Sequence, residues 1–159
     1  MSVSKIVAAA ASGVGGAGLD VDEVFSTFVH DGGSAQNIVN GIDLSGEGGL
    51  VWIKSRDFGF DQALFDSENS SFGSYLSSNN TSASSSLSGH VTPNSNGFSL
   101  SSLGSAPANA NGVNYVSWTF RKAPKFFDIV TYTGTSVNGT TVNHNLGSVP
   151  AMILSLIHI

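Results

Sequence analysis

Asn114-Tyr115-Val116-Ser117-Trp118-Thr119-Phe120-Arg121 alternates with a period of two. Val116, Trp118 and Phe120 share one face, while Tyr115, Ser117, Thr119 and Arg121 share the other. That is the pattern of a half-buried strand, because successive side chains of an extended chain point to opposite sides. The bulkier set predicts the inward face, so Trp118 is expected as a core anchor ahead of any role as a ligand platform.

Other segments read the same way on either side of this run. Leu50-Val51-Trp52-Ile53 is apolar on both faces, which suits a central strand covered on both sides. Val24 to Val29 and Phe126 to Tyr132 read as further strands. Weaker ones are expected near Ala63-Leu64-Phe65, Ser74-Tyr75-Leu76 and Phe98-Ser99-Leu100. Between them lie Ser- and Asn-dense connections, Ser77 to Leu87 and Gly104 to Gly112, whose side chains form local turns more readily than strands. Many short strands separated by turn signals predict an all-β, antiparallel β-sandwich or jelly roll.

Charged residues make up 11% of the chain, against about 25% in an average soluble domain, so its surface must be hydrated by hydroxyls and amides. A formal net charge of -5, with six Lys plus Arg, leaves no basic stripe for nucleic acid. The chain has no Cys, which removes disulfides, thiolate metal sites and a Cys nucleophile. No apolar run approaches the roughly 20 residues of a membrane-spanning helix. Lys5-Ile6-Val7 and Ala8 to Ala11 have a faint leader-like character, but they dissolve into Gly and Ser before a hydrophobic stretch is built.

Residues 1–23 read as a small-residue tether with one short helical turn over Lys5 to Ala11, and residues 24–125 as the β-domain. Phe25-Ser26-Thr27-Phe28-Val29-His30-Asp31-Gly32 can be laid over Phe127-Asp128-Ile129-Val130-Thr131-Tyr132-Thr133-Gly134, an offset of 134 − 32 = 102 residues. Val39 to Leu44 then falls near Val142 to Leu146, and Gly49 to Ile53 near Pro150 to Leu154. Residues 126–159 are therefore expected to open a second, truncated repeat of a tandem array.

Several motifs occur in order: Gly41-Ile42-Asp43-Leu44-Ser45-Gly46-Glu47-Gly48-Gly49-Leu50-Val51-Trp52-Ile53-Lys54-Ser55-Arg56, Leu64-Phe65-Asp66, Asn96-Gly97-Phe98-Ser99-Leu100, and Tyr115 to Pro124. Tyr132-Thr133-Gly134 and His144-Asn145-Leu146-Gly147-Ser148-Val149-Pro150 follow. In this order they resemble the repeat domains of tail-fibre-like virion proteins in marine phages and their metagenomic relatives. The resemblance implies a concanavalin-like or jelly-roll sandwich on a virion appendage, and it carries over no functional residues. After Pro150 the pattern departs into Leu154-Ser155-Leu156-Ile157-His158-Ile159, so no chemistry is drawn from His158.

The acidic residues sit in turn-like surroundings: Asp43 and Glu47 in a Gly-rich loop, Asp57 and Asp61 after the Trp52 strand, Asp66 and Glu68 before a Ser/Asn tract. No alternating carboxylate run of a sandwich glucanase is present, no Gly-x-Ser-x-Gly elbow occurs, and the four histidines lack metal-ligand spacing. Neither a catalytic residue, a metal site nor a cofactor is expected, although long Asn- and Asp-bearing loops leave calcium open. For sugar binding, Asp66, Tyr75 and Tyr115 are the candidates, with Phe72 and Tyr132 beside them. Asp66 has a turn cap as its competing role, and the aromatics have the core as theirs.

The expected function is that of a structural module of a phage tail fibre or other virion appendage, contributing to attachment to host-surface glycans. Its expected partners are other virion proteins and those glycans, with no nucleic acid and no membrane insertion, in a homo-oligomer of the trimeric kind. A glycan-degrading depolymerase on the same fold and a secreted, extracellular bacterial adhesin or lectin are the alternatives.

Overall fold

The computed structural model describes residues 18–102 and 107–156. The helical turn expected over Lys5 to Ala11, and His158, lie outside the described residues. Nine strands are present among those described: β1 (Phe25–Asp31), β2 (Gln36–Val39), β3 (Gly49–Ser55), β4 (Ala63–Asp66), β5 (Ser74–Ser77), β6 (Ser85–Ser86), β7 (Val91–Asn94), β8 (Gly97–Leu100) and β9 (Asn114–Arg121). They form two antiparallel sheets, one of six strands in the order β1-β9-β3-β4-β5-β6 and one of three in the order β2-β8-β7. The protein is an all-β sandwich. No described helix is long and apolar enough to cross a membrane.

The last strand, β9, enters between the first and the third. Phe25 pairs with Phe120 on one side and Leu50 with Phe120 on the other. The strand with the clearest alternation is thus fully paired along both edges, which removes its own edge liability and leaves β1 as the sheet's outer strand.

The core lies between the sheets. Ile38, Val91, Phe98 and Leu100 from the small sheet meet Val51, Ile53, Ala63, Phe65 and Tyr115 from the large one in a single buried cluster. A short helix, α1 (Leu44–Glu47), seals one end by burying Leu44, and the Asp43 carboxylate caps it by accepting from the Gly46 N–H at 2.9 Å. A second end is closed by Phe72, buried at the close of a turn in which Ser70, Ser71 and Phe72 all adopt positive φ. Gly97 starts β8 at φ +146°, where a Cβ would run into the Ile38 carbonyl of the neighbouring strand, so only glycine serves.

The structure corrects the expected face of β9. Tyr115, Ser117 and Thr119 are the fully buried set, while Val116, Trp118 and Phe120 are half-buried on the outside of the large sheet. Trp118 is therefore not a core anchor. The reason is cross-layer bonding: Asn40 Nδ2, on the chain leaving β2, donates to Thr119 Oγ1 at 2.8 Å, and the Tyr115 hydroxyl accepts from the Ala110 N–H at 3.0 Å. Polar atoms on these small and medium side chains are satisfied inside, so the bulkiest residues need not be.

A second correction concerns Phe126 to Tyr132, expected as a strand. Among the described residues beyond Arg121 the chain makes one isolated bridge, Ala123 to Phe127, and no strand. A strand needs a neighbour to exchange hydrogen bonds with, and β9, which serves β1 in the equivalent position, is already paired on both edges.

Candidate ligand-binding site

The residues singled out as sugar contacts are not brought together. Tyr115 is 0% exposed, stacked on the His30 ring at 5.4 Å, and has no surface to offer a ligand. Tyr75 is half-buried on the inner face of β5, where it packs against Phe65 at 5.4 Å. Phe72 is core, whereas Tyr132 stands exposed in the segment after β9.

Asp66 is 6% exposed, and its Oδ1 accepts from the N–H groups of Glu68 at 2.9 Å and Asn69 at 2.7 Å. It caps the turn after β4. Burial pushes its carboxyl above the ordinary value, although those two backbone donors pull the other way.

Two of the other acids have structural partners too. Asp57 accepts from the Asn114 N–H at 2.6 Å, and Glu68 is ion-paired with Lys122 at 2.6 Å. Glu68 holds the Lys122 ammonium above its ordinary value, chiefly through that hydrogen bond. Among the described residues no three His, Cys, Asp or Glu side chains are grouped to hold a metal ion.

His30 and His90 are buried, one against Tyr115 and the other tilted to Phe65 with its Nδ1 3.0 Å from Ser101 Oγ. Desolvation lowers both imidazole pKa values. His144 lies in an exposed turn, where its Nδ1 accepts from the Leu146 N–H at 3.3 Å.

What the sequence pattern missed is the outer face of the six-stranded sheet. One row across it, fixed by the strand register, reads Thr27, Trp118, Trp52, Leu64, Leu76. The two indoles lie 5.6 Å apart at an interplanar angle of 59°. Beside them, two residues along β9, Phe120 is held between Phe25 at 4.9 Å and Phe127 at 5.2 Å, a stack that flanks the row.

Trp52, Trp118, Phe120 and Gln62 line a shallow open cleft of about 280 Å³. None of the four carries a charge. Gln62 Oε1 is engaged by the Ser78 hydroxyl at 3.2 Å, and Trp52 Nε1 is buried without a hydrogen-bond partner. A signal for this site was present, because the chain's two tryptophans each sit in the middle of a strand-like run, Trp118 in an alternating one and Trp52 in a continuously apolar one. Assigning both to the core hid it.

Comparison with known proteins adds a family and nothing about activity. No curated protein and no solved structure matches the chain. Residues 20–157 match the family described as Domain of unknown function (DUF7483), a span that takes in both sheets, the aromatic cleft and most of the segment after β9. The chain belongs to that family.

Proposed function

We propose that this protein is a structural module of a phage tail fibre or related virion appendage, with a concanavalin-like or jelly-roll sandwich that takes part in attachment to host-surface glycans. The observation that carries the reading is an antiparallel sandwich with an unusually low charge content, 11%, and a surface dressed by Ser and Asn. On the small sheet this dressing is organised: Asn94 Nδ2 donates to Ser99 Oγ at 2.8 Å, and Ser99 donates to Asn37 Oδ1 at 2.7 Å. Hydroxyl and amide surfaces exchange hydrogen bonds with polyhydroxylated partners without needing an opposite charge.

The order of sequence motifs supports placement on a virion, and the 102-residue recurrence supports an array of such modules. Copies in series, or in a homo-oligomeric fibre, turn weak single contacts into firm attachment because the second contact forms at high effective concentration. The role is adhesive, not enzymatic.

The test is binding of the full chain to a glycan array and to intact bacterial cells, with product analysis of every glycan bound. Binding without cleavage supports attachment. Cleavage replaces it with a depolymerase, and absence of any binding leaves a spacer in the appendage.

A further inference from the structure

We infer that the cleft on the outer face of the six-stranded sheet, between Trp52 and Trp118 with Gln62 at its rim, is the subsite for an uncharged sugar ring of a polysaccharide. This rests on the glycan-attachment reading above and gives it a location.

Three features choose the occupant. First, two indoles packed on each other at 59° and 5.6 Å present one continuous apolar surface on which the flat C–H face of a pyranose stacks. Second, the four lining side chains carry no charge, so neither a phosphate nor a carboxylate finds a counter-ion there, and an uncharged ligand enters without stranding its own charge. The nearest cation along β3, Lys54, has its ammonium turned to the Ser55 carbonyl at 3.1 Å.

Third, the cleft holds spare hydrogen-bond donors. The Gln62 amide nitrogen makes no hydrogen bond to any of the described residues, while its oxygen is fixed by Ser78. Trp52 Nε1–H is buried and has no partner among the described residues, so it would meet a sugar hydroxyl only if the indole edge turns on binding. An aliphatic partner would leave both donors unmet.

The volume, about 280 Å³, lies just below the range of about 300–1,000 Å³ for ligand clefts. That suits one ring of a longer chain rather than an enclosed small molecule. The stack of Phe25, Phe120 and Phe127 bounds the cleft along β9, and the row continues across the strands from Trp52 to Leu64 and Leu76, the direction in which the polysaccharide runs on.

Because Trp52 and Trp118 are the chain's two tryptophans, fluorescence excited selectively at tryptophan, away from the absorption of the three tyrosines, reports on this cleft. The experiment titrates the full chain with neutral hexasaccharides of glucose, galactose and mannose, alongside the glycan array. The expected result is a saturable emission change with at least one of them, weakened about ten-fold in Trp118→Leu and in Gln62→Ala. Circular dichroism checks that each variant is folded, and Trp52→Phe, which keeps the ring and removes the N–H, serves as the milder variant.

If the wild-type chain binds no glycan by either method, the attachment reading and this subsite fall together. If it binds glycan with unchanged emission, or if folded Trp118→Leu and Gln62→Ala bind as well as wild type, only the subsite is wrong. An emission change that follows protein concentration without sugar also overturns the subsite, since a second copy then covers the cleft.

Discussion

Truncating Tyr115 to Ala should cost more than twice as much stability as truncating Trp118, although tryptophan is the larger side chain. Tyr115 is fully buried between the sheets. An aromatic side chain buries about 150–250 Å², and at about 25 cal/mol per Å² its removal costs about 4 kcal/mol, within the range of about 3–5 kcal/mol for aromatic-to-Ala changes in cores. The change also strands the Ala110 N–H, which donates to the tyrosine hydroxyl, adding about 1 kcal/mol or more. Trp118 has one face against the sheet and the other in the open cleft, so about half its area counts and the loss is about 2 kcal/mol. Each residue also loses one ring contact, to His30 and to Trp52 respectively, and these offset. Urea denaturation at a slope of about 2 kcal/mol per M should place the Tyr115→Ala midpoint about 1.5 M below that of Trp118→Ala. If Trp118→Ala is the more damaging of the two, the observed facing of β9 is wrong and the alternation points inward as the bulk of its residues suggests.

Three further outcomes follow from single features. His30 and His90 have depressed pKa values in the folded state, so the unfolded chain binds their protons first. Their contribution is intact above the unfolded value of about 6.5 and is lost as pH falls below it toward the folded values, and thermal melting of His90→Gln should be less acid-sensitive than wild type between pH 7 and the point where both forms are protonated. Asp66→Asn keeps the Oδ1 acceptor while removing a desolvated charge and should melt at or above the wild-type temperature near pH 7, whereas Asp66→Ala releases two backbone donors and should lose about 1–2 kcal/mol. Gly97→Ala should cost about 3 kcal/mol or more, read by denaturant midpoint, because φ +146° and the Ile38 carbonyl both oppose a Cβ.

Six of the nine strands were legible as runs of alternating or continuous apolar residues, and these are β1, β3, β4, β5, β8 and β9. The three that were not have physical reasons. Gln36-Asn37-Ile38-Val39 and Val91-Thr92-Pro93-Asn94 each bury a single side chain deeply, so their pattern is mostly that of a turn, and Pro93 is tolerated because β7 is an edge strand. Ser85-Ser86 carries no apolar signal at all and is held by pairing with Ser74 and Tyr75.

Alternation gives a strand's period but not its phase when both faces carry an aromatic. Tyr115 and Trp118 offered such a choice, and the satisfied polar contacts that settled it come from Asn40 and Ala110, far away or across a loop in the sequence. The candidate site was hidden by the same ambiguity. Trp52 and Trp118 become neighbours only through the register of β3 with β9, a pairing of segments more than sixty residues apart, and no local pattern encodes it. Asp66 was legible as a turn cap because its partners, Glu68 and Asn69, are local.

The proposed attachment to host glycans is tested most directly by the binding of fluorescently labelled full chain to intact bacterial cells before and after mild periodate oxidation, which cleaves the vicinal diols of surface sugars and leaves surface proteins largely intact. Saturable binding that disappears after oxidation is the predicted result. Binding that survives oxidation would contradict a glycan receptor.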